Sequence, residues 1–98
     1  MAVAEERARY VGLDLTNGHV TDAVVESIET DNPNVRITQF PGYAKIEAIE
    51  KLVINRATVE EALGEEWNTE DIQLIVTSYY GFISEWDDDQ IIIQWDNV

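Results

Sequence analysis

Tyr43-Ala44-Lys45-Ile46-Glu47-Ala48-Ile49-Glu50-Lys51-Leu52-Val53-Ile54-Asn55 is the stretch on which the fold turns. Ala44, Ile46 and Ala48 share one face of an extended chain and Tyr43, Lys45 and Glu47 the other; from Lys51 to Asn55, Leu52 and Ile54 repeat the pattern. Period two with polar alternates marks antiparallel sheet with one wet side. Just upstream, Val35 and Ile37, running on to Gln39-Phe40, form another strand that Pro41-Gly42 turns back.

On the N-terminal side, Tyr10 to Leu15 alternates loosely as a first strand, and Thr16-Asn17-Gly18 turns the chain. From about His19 to Asp31, Val20, Val24 and Ile28 recur every four residues with Asp22, Glu26 and Glu29 opposite, which predicts an amphipathic helix. Asn32-Pro33 stops it, because the residue before proline is pushed out of the α region. On the C-terminal side, Asn55 or Thr58 caps a short helix that turns Val59, Ala62 and Leu63 inward, and Gly64 supplies its left-handed end. Asn68-Thr69-Glu70-Asp71 has capping-box spacing. Ile72 to Ile83 then alternates as one long strand, Trp86-Asp87-Asp88-Asp89 is a turn, and Ile91 to Trp95 returns as a hairpin partner. The order β-α-β-β-β-α-β-β predicts an α+β domain with antiparallel pairing. No internal repeat or linker interrupts it.

The composition suits one folded unit. Ninety-eight residues, 45% of them apolar, make a single domain with a modest core. The net charge of −14 is uneven: residues 1–56 hold all six basic side chains against nine acids, whereas residues 57–98 hold eleven acids and no Lys or Arg. Such a chain is a poor ligand for nucleic-acid phosphates or an anionic membrane, and its acidic half could steer docking onto a basic partner. No cysteine is present, which excludes disulfides, thiolate metal sites and a cysteine nucleophile, and His19 is the one histidine. The N-terminal stretch lacks the basic and apolar regions of a signal peptide, and no apolar run is long enough to cross a bilayer. A cytoplasmic protein is expected, with residues 1–9 as a flexible arm.

Catalytic motifs are missing. There is no Gly-rich phosphate loop, no G-x-S-x-G and no H-E-x-x-H. Asp87-Asp88-Asp89 lacks the spacing of a calcium loop and reads as a solvated turn. Glu60-Glu61 and Glu65-Glu66 are adjacent, so they diverge around a helix and do not form an acid–base pair. Among the aromatics, Trp67 and Trp95 read as core. Tyr79 and Tyr80, being consecutive in a strand, point to opposite faces, so one of them is free to join Tyr43 and Thr77 in a contact surface.

From Thr30 onward an ordered series of signals resembles a known family. Asp31-Asn32-Pro33, Phe40-Pro41, Ile46-Glu47-Ala48, Leu52-Val53-Ile54, Thr58-Val59-Glu60-Glu61-Ala62-Leu63-Gly64, Asn68 through Ile75, Ser78, Gly81 and Asp88-Asp89 follow in turn. The chain resembles the small effector, or coupling and regulatory, proteins of bacterial multicomponent monooxygenases, the phenol hydroxylase type above the toluene and soluble methane types. The first 18 residues lie outside the match. The resemblance implies a compact α+β fold with two small antiparallel sheets and no metal, flavin or other cofactor. It implies a partner, the di-iron hydroxylase of the same system, served by an NADH-dependent reductase. It further implies that docking tunes oxygen activation, substrate access and the coupling of NADH use to hydroxylation, with phenols the first substrates to try. A di-iron bundle site needs Glu-x-x-His pairs, and with no such pair this chain fits the effector and not the oxygenase. By the same resemblance Thr77, Ser78, Tyr79, Tyr80, Gly81 and Phe82 occupy the segment that faces the hydroxylase, with Tyr43 a further contact; relatives carry small residues where this chain has its two tyrosines. The alternatives are an acidic interaction module, such as a DNA mimic, or a small carboxylate enzyme.

Overall fold

The computed structural model describes residues 10–95, so the expected arm at 1–9 lies outside the described residues. Among the described residues seven strands form two antiparallel sheets. The first, in spatial order β2-β3-β1-β5, comprises β1 (Tyr10–Thr16), β2 (Arg36–Phe40), β3 (Tyr43–Ile49) and β5 (Val76–Tyr80). The second, in the order β4-β7-β6, comprises β4 (Lys51–Asn55), β6 (Phe82–Trp86) and β7 (Gln90–Gln94). Helix α1 (His19–Asp31) packs on α2 (Arg56–Leu63) and β4.

The alternation seen in the sequence is the alternation of burial. Val11, Leu13 and Leu15 of β1 and Ala44, Ile46 and Ala48 of β3 face inward, with Leu13 opposite Ile46. Leu52, Ile54, Ile91 and Ile93 do the same in the second sheet, and Val24, Ile28, Val59, Trp67 and Ile72 complete one continuous core. Each fully buried aliphatic side chain contributes about 1.5–3 kcal/mol. Gly64 ends α2 at φ 84°, and Asn32 ends α1, both as expected.

Strand passes directly to strand of the other sheet at two residues in the left-handed region. Glu50 (φ 66°) passes it from β3 to β4, and Gly81 (φ 114°) from β5 to β6. At Gly81 a Cβ would stand 2.8 Å from Val11 Cγ1 and 3.0 Å from Ile93 Cγ2, so this corner needs a residue without a side chain.

Several expectations are corrected. Ile72–Ile83 is not one strand: a 3-10 helix (Thr69–Leu74) precedes β5, and Gly81 divides β5 from β6. The three-residue repeat buries Thr69 and Ile72 and leaves Leu74 outside; short apolar runs do not by themselves distinguish the two periods. The Asn68 and Asn55 side chains form no caps; Asn55 Nδ2 instead donates to Asp31 Oδ2 at 3.0 Å. Trp95 is not core. It follows the end of β7, is 39% exposed, and its indole N–H donates to the Tyr10 carbonyl at 3.0 Å.

Glu60 ties α2 to the loop beyond it by accepting the Trp67 backbone N–H at 2.9 Å and Arg56 Nε at 3.1 Å. These bonds, the Trp67 one foremost, hold its carboxyl below the ordinary glutamate range. A depressed carboxyl adds stability above its unfolded pKa, about 4.3, and loses it as pH falls through the lower folded value. Glu60→Gln is therefore expected to lower the melting temperature at pH 7, with the gap from the parent protein closing as acid protonates Glu60. Melting curves at neutral and acid pH check this.

Candidate docking surface

The stretch Thr77–Phe82 runs along β5, the outermost strand of its sheet, and crosses at Gly81 to β6, the outermost strand of the other. Its side chains go to three places. Ser78 and Tyr80 stand on the outer face of the first sheet beside Asp14 and Lys45. Ser78 Oγ donates to Asp14 Oδ2 at 2.9 Å, and Thr77 Oγ1 donates to the Asp14 carbonyl at 3.3 Å. Lys45 Nζ lies 3.2 Å from Asp14 Oδ1, donates to the Tyr80 hydroxyl at 3.4 Å and sits 4.9 Å from the centre of the Tyr80 ring. The bond to Asp14, above all, raises the Lys45 ammonium above its ordinary value, and burial raises the Tyr80 phenol. Lys45 thus stays charged and Tyr80 neutral across the physiological range.

Tyr79 points the other way and is 51% exposed. It stands at the mouth of an apolar pocket of about 250 Å³ between the two sheets, walled also by Leu13, Ile72, Val76, Ile83 and Trp86. Phe82, 53% exposed, lies opposite Gln94 on the outside of the second sheet. Tyr43 is not part of this group: its ring stacks on Phe40 at 4.9 Å, at the end of β3 that pairs with Thr16.

Two bulges build the pocket. On β5, Leu15 pairs with Val76 and Asp14 with Ser78, so Thr77 is an extra residue; on β6, Ile83 pairs with Ile93 and Glu85 with Ile92, so Ser84 is extra. Each bulge brings two residues three apart in sequence, Val76 with Tyr79 and Ile83 with Trp86, onto the same inward side. Bulges re-aim side chains in this way at sheet edges and near functional sites. Strict alternation hides Trp86 and Val76 from a reading of the sequence; the aromatic at 86 beside an acidic turn was the available signal. The turn expected at Trp86–Asp89 is shorter, Trp86 being the last residue of β6: Asp87 Oδ1 accepts the backbone N–H groups of Asp89 and Gln90 at 2.8 and 3.0 Å, which lowers its pKa. Among the described residues no three His, Cys, Asp or Glu side chains are grouped to hold a metal ion, and no helix is long and apolar enough to cross a membrane.

A family model, the MmoB/DmpM family, matches residues 9–94. The chain belongs to that family. The match includes β1, which the resemblance read from the sequence had left out. The stimulatory component DmpM of phenol 2-monooxygenase from Pseudomonas sp. (strain CF600) is 39% identical over 74 residues, 76% of this chain and 81% of that protein. A chain in a structure of the phenol hydroxylase–regulatory protein complex superposes with a TM-score of 0.82 at 32% identity, over 90% of this chain and all of its own length. The soluble methane monooxygenase regulatory protein B superposes with a TM-score of 0.69 at 26% identity, over 89% of this chain and 65% of that one.

Proposed function

We propose that this chain is the cofactor-free effector of a phenol-hydroxylase-type monooxygenase: it docks on the di-iron hydroxylase and regulates it without catalysing a reaction itself. The observation that carries this reading is the superposition, over its entire length, of a chain from a phenol hydroxylase–regulatory protein complex. The relative from Pseudomonas is a stimulatory component of the same kind of enzyme. The working system includes an NADH-dependent reductase, residues 1–98 act in it as one effector domain, and the cytoplasm is its compartment.

An effector of this kind acts by population shift. It moves the hydroxylase only so far as it binds one conformation better than another, and a tenfold preference needs about 1.4 kcal/mol of differential contact. The bent edge Thr77-Ser78-Tyr79-Tyr80-Gly81-Phe82 is suited to supply it. Tyr79 and Phe82 offer exposed aromatic area, while Asp14 and Lys45 hold Ser78 and Tyr80 in place, so little side-chain freedom is lost on docking. Tyr43, with Phe40, forms a separate contact at the far end of the outer face.

The test adds the purified protein to a di-iron hydroxylase and its reductase and measures product formed per NADH consumed. The expected result is a rise in rate or coupling that saturates with the effector; no change in either with any phenol-type hydroxylase overturns the reading. Tyr79→Ala is expected to shift that saturation curve to higher concentration by about tenfold, a loss of about 1.4 kcal/mol, with the melting temperature nearly unchanged. Ser78→Ala is expected to give a smaller shift, because its hydroxyl is already committed to Asp14. Curves that coincide with the parent protein's remove this edge from the interface.

A further inference from the structure

The pocket between β5 and β6 has a neighbour. On the far side of Trp86 and Gln73, which belong to both, lies a second depression walled by Thr69, Glu70, Asp87 and Asp88. One wall is thus apolar and the next is acidic, and Trp86, 39% exposed, stands between them. Among the described residues neither Glu70 nor Asp88 takes part in an ion pair: Arg56, which lines an adjoining depression with both, is paired with Glu60 at 3.1 Å, and residues 57–98 hold no Lys or Arg.

Resting on the effector reading, we infer that this double depression receives one bulky apolar side chain of the hydroxylase together with an adjacent Arg or Lys: the apolar group enters the pocket and the cation lies along Trp86 toward Glu70 and Asp88. Size agrees, since a cavity of about 150 Å³ already admits a benzene ring and this pocket has about 250 Å³. Charge selects the occupant. A second copy of a chain with net charge −14 would bring acid against acid. A free apolar molecule would leave the acidic wall unused. A cation over the Trp86 face adds attraction where the acidic wall alone would be screened by salt. The pocket is also continuous with the docking edge, through Tyr79 and Val76.

The experiment titrates a phenol-type hydroxylase with the full-length protein by calorimetry at low and high salt. Val76→Phe fills the pocket from within, and Gln73→Trp, at an exposed position on its rim, closes it from outside should the first variant fail to fold. Either folded variant is expected to weaken binding at least tenfold, about 1.4 kcal/mol. Glu70→Gln with Asp88→Asn is expected to weaken it several-fold at low salt and hardly at all at high salt. Parent-like affinity in a folded pocket variant, or unchanged salt dependence in the charge variant, overturns the inference while the effector reading stands. No binding by the parent protein overturns both. Self-association of the free protein that Val76→Phe abolishes would make a second copy the occupant and overturn the inference too.

Discussion

Gly81→Ala is expected to remove about 3 kcal/mol of stability, the sum of a strained backbone conformation and an overpacked core. The residue sits at φ 114°, where side chains are rarely accommodated, and the added methyl would meet Val11 and Ile93 on the inner faces of the two sheets. Neither neighbour has room to give, because Val11 and Ile93 are both buried in the core. Gly42 is the matched control: its φ is 92°, but nothing lies within 4 Å of a Cβ there. Gly42→Ala should therefore incur only the conformational cost, about 1–2 kcal/mol. The difference between the two variants in urea unfolding isolates the packing at the corner. For a domain of this size about 3 kcal/mol is also a fall of more than about 10 °C in melting temperature. Equal losses at Gly81 and Gly42 would show that the corner is not tightly packed. The same substitution should weaken hydroxylase docking, since Gly81 sets the angle between the strands that carry Tyr79 and Phe82.

Elements defined by their own residues were legible in the sequence. Val20, Val24 and Ile28 repeat with the helical period and α1 forms; Ala44, Ile46 and Ala48 repeat with the strand period and β3 forms; Gly64 and Pro41-Gly42 turn the chain where their backbone preferences require. What failed was anything decided by a partner strand. The pattern from Ile72 to Ile83 is alternating on paper, but the extra residues Thr77 and Ser84 exist only relative to β1 and β7, and they reverse which side chains share a face. Hence Trp86 lines a pocket that no alternation foretold. Trp95 continues the Ile91–Ile93 spacing and so reads as core, whereas β7 ends at Gln94 and the indole N–H turns to the Tyr10 carbonyl. Within Thr77–Phe82, the division of Tyr79 and Tyr80 between opposite faces was legible, as consecutive strand residues require. The bend that sends Phe82 to a different sheet from both came from Gly81.

Asn32 was legible only as a helix stop, yet its side chain links two elements, α1 and β4. Its Nδ2 donates to the Ile28 carbonyl at 2.9 Å and to the Val53 carbonyl at 2.8 Å, and its Oδ1 accepts the Val53 N–H at 2.9 Å. β4 is an outermost strand, so these Val53 groups face away from β7 and would otherwise be an unpaired edge. The amide of Asn32 acts there as a one-residue strand, closing the edge and fastening the end of α1 to it. Asn32→Ala leaves both Val53 groups without their partner. A fully buried group left unsatisfied costs about 1–3 kcal/mol, and these two are partly buried, so the expected loss is about 2 kcal/mol. Asn32→Asp should do no better, because a carboxylate can still accept from Val53 but donates to neither carbonyl. A global unfolding measurement alone would not separate this clamp from ordinary packing, so the Val53 amide supplies the second readout. Its hydrogen exchange should accelerate in Asn32→Ala by more than the change in global stability requires, while amides at the β4–β7 ladder follow the global change. Unaltered Val53 protection, or a stability loss below about 0.5 kcal/mol, within the usual range of surface substitutions, would mean that the clamp contributes nothing to the fold.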